Sequence, residues 1–461
     1  MSENVQHPAL DDTVLVRSHE HSQRYLQSLA TRHVGTKRGR DSMMAALEEP
    51  LSSLGEDPAQ VIDLIAEQVE IGMTDCSSPR YFGFVIGGAH PVALAADWLV
   101  STWDQNAGIH AISPFSAAVE EVAAGWLLDL FGLPTDASVG FVTGGQMANF
   151  TCLAAARHHV LRAAGWDVEL DGLAGAPRVT VVVSEAAHVT IHVALRYLGF
   201  GTRSLVQVAA DDQGRMSADD LRKVLAAVSG PAIICAQAGN VNSGAFDPLR
   251  EISEIATAAG AWLHVDGAFG LWATASKELA PLVDGIENAD SWSTDAHKWL
   301  NVPYDSGVAI VRNVQTSGAE RDAIDWVPEL SRRARAIPIY ATIRSLGRQG
   351  IDDLVTRGCA RARQMAAALQ GDSGVTLLNE IVLNQALLRF DGSDEVTRRV
   401  IAGVQNEGTC WVSGTTWQGR AAMRISVTNW ATTERDIALS ATAVLKVLGA
   451  VRGRRGDVND A

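Results

Sequence analysis

The stretch Ser291-Trp292-Ser293-Thr294-Asp295-Ala296-His297-Lys298-Trp299 sets a lysine beside a histidine among small hydroxyl residues. A lysine in a desolvated, electropositive pocket gives up its proton more readily than one on the surface, and its free amine can form an imine with an aldehyde. Most lysines are surface residues, so Lys298 alone carries little; three other features bear on the same chemistry. Leu263-His264-Val265-Asp266-Gly267-Ala268-Phe269 reads as an apolar strand ending in a carboxylate. Strand C-terminal ends form the ligand crevices of open α/β sheets. A carboxylate there can keep a pyridine nitrogen protonated, which turns the ring into an electron sink, and Ala268 leaves room for a flat ring. Thr143-Gly144-Gly145-Gln146-Met147-Ala148-Asn149 reads as a glycine turn from a strand into a helix, where backbone N–H groups and the helix dipole favour a phosphate. It lacks the Walker lysine and the G-x-G-x-x-G pattern of nucleotide sites. His188, in Ser184-Glu185-Ala186-Ala187-His188, follows a strand at the start of a helix, and its imidazole can stack on a cofactor ring.

These residues need a scaffold, and the middle of the chain supplies its pattern. Short β-branched runs at 139–142, 178–184, 204–209, 231–237, 261–268 and 306–312 alternate with helical periodicity. Strands without polar alternation are buried on both faces, so the pattern predicts a largely parallel sheet covered by helices. Residues 1–90 read as a helical segment, with apolar residues at helical spacing over Val61–Ile71, then the aromatic, glycine-rich loop SSPRYFGFVIGG. Residues 91–345 form the large α/β unit in this reading. It opens with two amphipathic helical stretches, the second beginning after Ser113-Pro114. Residues 313–337 are polar, rich in arginine and weakly periodic, which predicts a mobile loop. Residues 346–461 read as a smaller α+β domain, with helices over 352–370, 394–407 and 433–449 and strands near VTLLN, NQALLRF and MRISVTN.

Composition narrows the function classes. The 461 residues carry a net charge of −15. An acidic chain repels phosphate backbones, which argues against a nucleic-acid partner. The five cysteines are odd in number and none has C-x-x-C spacing, so neither a disulfide framework nor a structural metal site is expected, and a reducing cytoplasm fits. The first residues, MSENVQHPALDD, have no basic start or apolar core for export. No apolar run reaches the roughly 18 residues of a membrane span.

Taken together, the four pieces resemble the fold-type I enzymes of pyridoxal 5′-phosphate (PLP), and within them the group II amino-acid decarboxylases, which include the aromatic-amino-acid, glutamate and cysteine-sulfinate decarboxylases. The resemblance runs from PRYFGF at 79 through SPFSAAVEE, the glycine turn, AAH, HVDGA and AHKWLNVPYDSG to MRISVTN at 423–429. It implies a mainly parallel seven-stranded sheet, a smaller C-terminal α+β domain and an N-terminal helical segment wrapped across a homodimer interface. Lys298 resembles the lysine that carries PLP as an imine, Asp266 the partner of the pyridine nitrogen, and His188 the stacked imidazole. Gly144, Gly145 and Gln146 match the phosphate turn, with His297 and Ser293 or Thr294 nearby, and Ala268 matches the small residue beneath the ring. Arg424 matches an arginine that meets the substrate carboxylate in some members and is structural in others. Tyr81, Phe82, Phe84, Trp103, His110 and Phe115 are candidates for the side-chain pocket, which would suit an aromatic or apolar L-amino acid; Trp103 and His110 match positions contributed by a neighbouring subunit.

One departure matters. Similar decarboxylases place a tyrosine on the mobile loop to protonate the carbon that has lost carbon dioxide. Between Arg312 and Pro338 this chain has none; Asp325-Trp326 occupies the segment and Tyr340 lies just past it. The resemblance therefore implies two outcomes. One is simple decarboxylation to an amine, with the proton from His188, Tyr340 or a partner subunit. The other is decarboxylation-dependent oxidative deamination to an aldehyde. Transamination, aldol cleavage and a non-catalytic binding protein of the same fold are the further alternatives.

Overall fold

The computed structural model describes residues 12–201, 203, 205–312, 322–325 and 327–459, with 454–459 described by their backbone only. Residues 313–321 and Trp326 of the expected loop lie outside the described residues. In chain order the strands are β1 (Tyr81–Phe82), β2 (Ser138–Val142), β3 (Thr180–Ser184), β4 (Leu205–Val208), β5 (Ala232–Gln237), β6 (Trp262–Asp266), β7 (Ser291–Asp295), β8 (Gly307–Val311), β9 (Val375–Leu377), β10 (Gln385–Phe390), β11 (Trp411–Trp417) and β12 (Arg420–Ser426).

The larger sheet has seven strands in the order β2-β8-β7-β6-β5-β3-β4. Strands β7, β6, β5, β3 and β4 pair in parallel, whereas β8 runs antiparallel to both β2 and β7. Side chains alternate between two apolar layers. Val182, Ile234, Leu263, Val265, Trp292 and Ile310 face one core; Val181, Val183, Ile233, Cys235, Ala309 and Val311 face the other. Each large apolar side chain so buried contributes on the order of 2 kcal/mol.

Strand β7 does not show in the hydrophobic pattern, because Ser-Trp-Ser-Thr-Asp lacks an apolar run. It is nonetheless fully buried. Its hydroxyls are satisfied inside: Ser291 Oγ accepts the indole N–H of Trp262 at 2.9 Å, and Ser293 Oγ donates to Asn149 at 2.6 Å. A buried polar strand is tolerable when its groups find partners.

The smaller sheet has the order β1-β11-β12-β10-β9 and packs on helix Asp394–Glu407 and the stretch Ala336–Leu369, against both of which helix Glu434–Asn459 lies. Its first strand, Tyr81–Phe82, comes from the N-terminal part of the chain and pairs in parallel with β11. The helical stretch Ala336–Leu369 joins the two units and breaks its helical geometry at Gly347, where φ is 60°. None of the helices among the described residues is long and apolar enough to cross a membrane.

Asn301 ties these parts together behind the Lys298 turn. It sits at φ 54°, a left-handed conformation that asparagine tolerates. Its side-chain oxygen accepts the backbone N–H groups of Gly88 (2.6 Å) and Trp430 (3.0 Å). Its amide donates to the carbonyls of Trp299 (2.8 Å) and Thr428 (3.0 Å). A Cβ on Gly87 would lie 2.1 Å from the Lys298 carbonyl, so only glycine lets the aromatic loop press this closely against the lysine turn.

Candidate active site

The residues singled out by type converge because each ends or follows a strand on one edge of the larger sheet. Asp266 ends β6, Asp295 ends β7, His188 follows β3, and Gly144-Gly145 links β2 to the helix Gly145–Ala163. Lys298 is three residues past β7, and its Nζ lies 3.0 Å from Asp295 Oδ2. Asp295 also meets the glycine turn: a Cβ on Gly145 would lie 2.6 Å from its Oδ2. His188 shares the crevice, since the charges that bear on it belong to Asp266, Lys298, Arg424 and Asp295. The backbone explains the register. Gly267 N–H donates to the Ser293 carbonyl at 2.9 Å and Asp295 N–H to the Ala268 carbonyl at 2.9 Å, so the ends of β6 and β7 are pinned side by side.

Asp266 is buried. Its Oδ1 accepts the Ala268 N–H at 3.1 Å and its Oδ2 accepts the Asn149 amide at 3.2 Å. Burial holds the His188 and His297 imidazoles below their usual range, which favours their neutral forms. His297 donates from Nδ1 to the Ser306 carbonyl at 3.2 Å. Arg424 is buried on β12, and burial brings its guanidinium down to about 10. It donates to the Val241 carbonyl (3.2 Å) and to Asn242 Oδ1 (3.1 Å), while its Nε is buried without a partner. Among the described residues it forms no ion pair, and the Phe84 ring centroid lies 6.0 Å away.

Several sequence candidates are placed differently. Phe82 is wholly buried in the core of the smaller sheet, so it is a packing residue and not a pocket wall. Ser293 and Thr294 are fully buried. The Ser293 hydroxyl is committed to Asn149, and Thr294 Oγ1 lies 3.5 Å from the Ala268 carbonyl, so neither serves as an open phosphate donor. Gln146 is exposed at the helix start. Tyr81 is buried and stacks on Trp411 at 5.2 Å. Trp103 packs edge-on against Phe115, and His110 bonds Asp322 at 2.7 Å; no contact links either to Lys298 within the described residues. Tyr340 stacks on Trp126 at 4.9 Å and accepts from Arg344 at 2.8 Å.

Two residues escaped the sequence reading. Asp295 sits in a polar stretch whose strand character was hidden; a carboxylate three positions before the lysine was the available signal. Asn149 lay within the glycine-turn motif, but nothing in one dimension shows that its amide reaches Asp266.

His264, also on β6, gives a measurable consequence. Burial pushes its imidazole from 6.5 down to about 4. Between those values the unfolded chain binds a proton that the folded chain refuses. The stabilising contribution is therefore whole above pH 6.5 and drains as pH falls toward 4, by about 1.4 kcal/mol per unit. Asp247, pushed up to about 7 by burial, works in the opposite direction, so the test is a difference. The stability gap between wild type and His264→Gln is expected to narrow by roughly 3 kcal/mol on acidification across that window, read from urea titrations. A gap that stays constant means that His264 is not held neutral.

The residues present fit PLP. Lys298 would supply an amine for its aldehyde and Asp266 a carboxylate for its ring nitrogen, with Ala268 bonded to that carboxylate through its N–H and His188 within reach of its charge. The helix Gly145–Ala163 begins at Gly144 without a side-chain cap, so its first N–H groups are available to a phosphate. Comparison with known proteins agrees. Residues 41–390 match the model of the pyridoxal-dependent decarboxylase conserved domain. The chain is 26% identical over 443 residues to the aromatic-L-amino-acid decarboxylase of Bacillus atrophaeus, covering 90% of each chain. It is 30% identical over 416 residues to the L-2,4-diaminobutyrate decarboxylase of Rhizobium meliloti (strain 1021), covering 83% of this chain and 80% of that one. In fold it resembles the crystal structure of Oryza sativa TDC with PLP and tryptamine, with a TM-score of 0.89 and 22% identity over 96% of this chain and 99% of the other. With the match spanning most of its length, the chain belongs to the pyridoxal-dependent decarboxylase family and is a PLP-dependent carboxy-lyase of amino-acid metabolism.

Proposed function

We propose that the enzyme decarboxylates an L-amino acid with an aromatic or apolar side chain, releasing carbon dioxide and the amine, with Lys298, Asp266 and His188 as its working residues. The observation that carries the reading is the single crevice in which an amine, a buried carboxylate, a neutral imidazole and an uncapped helix start meet. PLP, when bound, supplies an aldehyde for the substrate amine and a ring that takes up the electron pair left at Cα. Lys298 Nζ would hold the cofactor through its aldehyde. Asp266 keeps a proton on the pyridine nitrogen. His188, held toward its neutral form, would stack on the ring without adding a second positive charge, and the small side chain of Ala268 would leave room for it. The backbone at Gly144, Gly145 and Gln146, with His297 beside it, holds the phosphate.

Arg424 is the receptor for the substrate carboxylate in this reading, because a buried guanidinium with an unpartnered Nε suits an anion. Phe84 is half-exposed beside it and stacks on Trp411 at 5.9 Å, which supports an aromatic or apolar substrate. Arg424→Leu is expected to raise KM by roughly tenfold or more with a smaller loss in kcat, the pattern of lost ground-state binding. An unchanged KM assigns Arg424 to structure alone.

A second reading, oxidative deamination, is favoured by the missing tyrosine between 313 and 337. It would consume oxygen and water and yield aldehyde, ammonia, carbon dioxide and hydrogen peroxide. A screen of the twenty amino acids that follows carbon dioxide and peroxide together separates the two. Carbon dioxide with an equal amount of amine is the expected result, peroxide in equal amount selects the second reading, and a keto acid without carbon dioxide refutes both.

The same reading includes a cytoplasmic homodimer. Five free thiols suit a reducing compartment. Exposed Trp98, Leu99, Trp103, Ile112, Phe115 and Val122 give the helices Pro91–Trp103 and Pro114–Phe131 and the loop between them an apolar surface suited to a partner. Trp103 and His110 would then border the crevice of the neighbouring subunit.

A further inference from the structure

Asp266 is buried and forms no ion pair among the described residues; its two hydrogen-bond donors are neutral. One of them heads a chain that runs back through the sheet. The indole N–H of Trp262 donates to Ser291 Oγ at 2.9 Å. Ser291 Oγ lies 3.0 Å from His264 Nδ1, His264 Nε2 lies 2.9 Å from Asn149 Oδ1, and Asn149 Nδ2 donates to Asp266 Oδ2 at 3.2 Å. All five residues are buried.

The two ends set the direction of every proton between them. Trp262 can only donate, and an ionised carboxylate can only accept. Asn149 must therefore turn its amide N–H to Asp266, since the opposite flip would set two acceptors face to face. Its oxygen then accepts the His264 Nε2–H, so a neutral His264 has its lone pair on Nδ1, where the Ser291 hydroxyl donates. Ser293 reinforces the orientation by donating to the same Asn149 oxygen at 2.6 Å. Asn149 Nδ2 also donates to Thr190 Oγ1 at 3.2 Å, so all four hydrogen-bonding positions of the amide are filled. Each bond in such a chain polarises the next.

We propose that Trp262, Ser291, His264 and Asn149 form a directional donor chain that holds Asp266 ionised and aimed at the cofactor's ring nitrogen, with Asn149 as the positioning residue in contact with the carboxylate. The proposal rests on the reading of Asp266 given above. It explains why β7 carries buried serines where apolar residues would pack better, and why a histidine stands inside the sheet beside Asp266.

The test uses the PLP-loaded enzyme with the ring nitrogen labelled with ¹⁵N. In wild type the ring nitrogen signal is that of a protonated pyridine. Asn149→Ala and His264→Leu shift it toward the unprotonated form, weaken cofactor binding by about tenfold, and lower kcat by a similar factor with KM unchanged. His264→Gln restores the signal, because its amide can donate where Nε2–H did. If Asn149→Ala does not fold, the His264 pair decides alone. A wild-type ring signal in folded, loaded His264→Leu, or a His264→Gln variant as impaired as His264→Leu, overturns the proposal. An unprotonated ring nitrogen in wild type itself overturns the underlying reading of Asp266 as well.

Discussion

Lys298→Ala is expected to lose on the order of 10³-fold or more in decarboxylation, because the amine that carries the cofactor is removed outright. The visible imine band disappears, and borohydride no longer fixes the cofactor to the peptide that contains position 298. The side chain is partly exposed, while its neighbours Trp299 and Leu300 are buried in the core, so packing survives the change. Stability still falls, because Asp295 is buried and loses its cation at 3.0 Å; breaking a buried pair costs about 3–5 kcal/mol. Lys298→Arg keeps a cation beside Asp295 but cannot form the imine. It is expected to recover the stability without the activity. Covalent labelling of any other lysine in the wild type would sink the assignment.

Asp266→Asn is expected to lower kcat by about 10²–10³-fold, equivalent to roughly 3–4 kcal/mol of transition-state stabilisation. The change is nearly isosteric and leaves Leu263 and Val265 packing as before, so the fold is retained. What goes, on the proposed reading, is the negative charge that would keep a proton on the ring nitrogen. Without that proton the ring takes up the electron pair at Cα poorly. The new amide also meets the Asn149 N–H that donates to Oδ2, which adds a local conflict and weakens cofactor binding. A variant with near-wild-type kcat and normal cofactor affinity would remove Asp266 from the mechanism.

The strands of the larger sheet were legible where they are apolar. The runs at 139–142, 231–237 and 306–312 stand within a residue of β2, β5 and β8, because burial on both faces demands continuous apolar side chains. The helix expected over 394–407 matches Asp394–Glu407, which Ser393 caps through the Val396 N–H. Strand β7 was illegible for the complementary reason: its partners are side chains distant in sequence, so its serines look like a loop. β1 was illegible as well, since a two-residue strand has no periodicity and exists only through pairing with Trp411 and Val412. The last helix extends to Asn459, past the expected 449. Arg452 within it is clasped by Asp372 and Asp391, contacts that no local pattern announces.

The chemistry at this site follows from residue types in a fixed order: a lysine behind a histidine, a carboxylate at the end of an apolar strand, and a glycine turn opening a helix. Those features are local, and the backbone geometry that each needs is written in its immediate neighbours. Partnership is not local. Whether Ser293 faces a phosphate or Asn149, whether Phe82 lines a pocket or fills a core, and which neutral groups stand behind Asp266 all depend on strands brought together across the sheet. Hydrogen bonds and packing act over a few ångströms in space, and residues 149, 264 and 291 become neighbours only when the chain has folded.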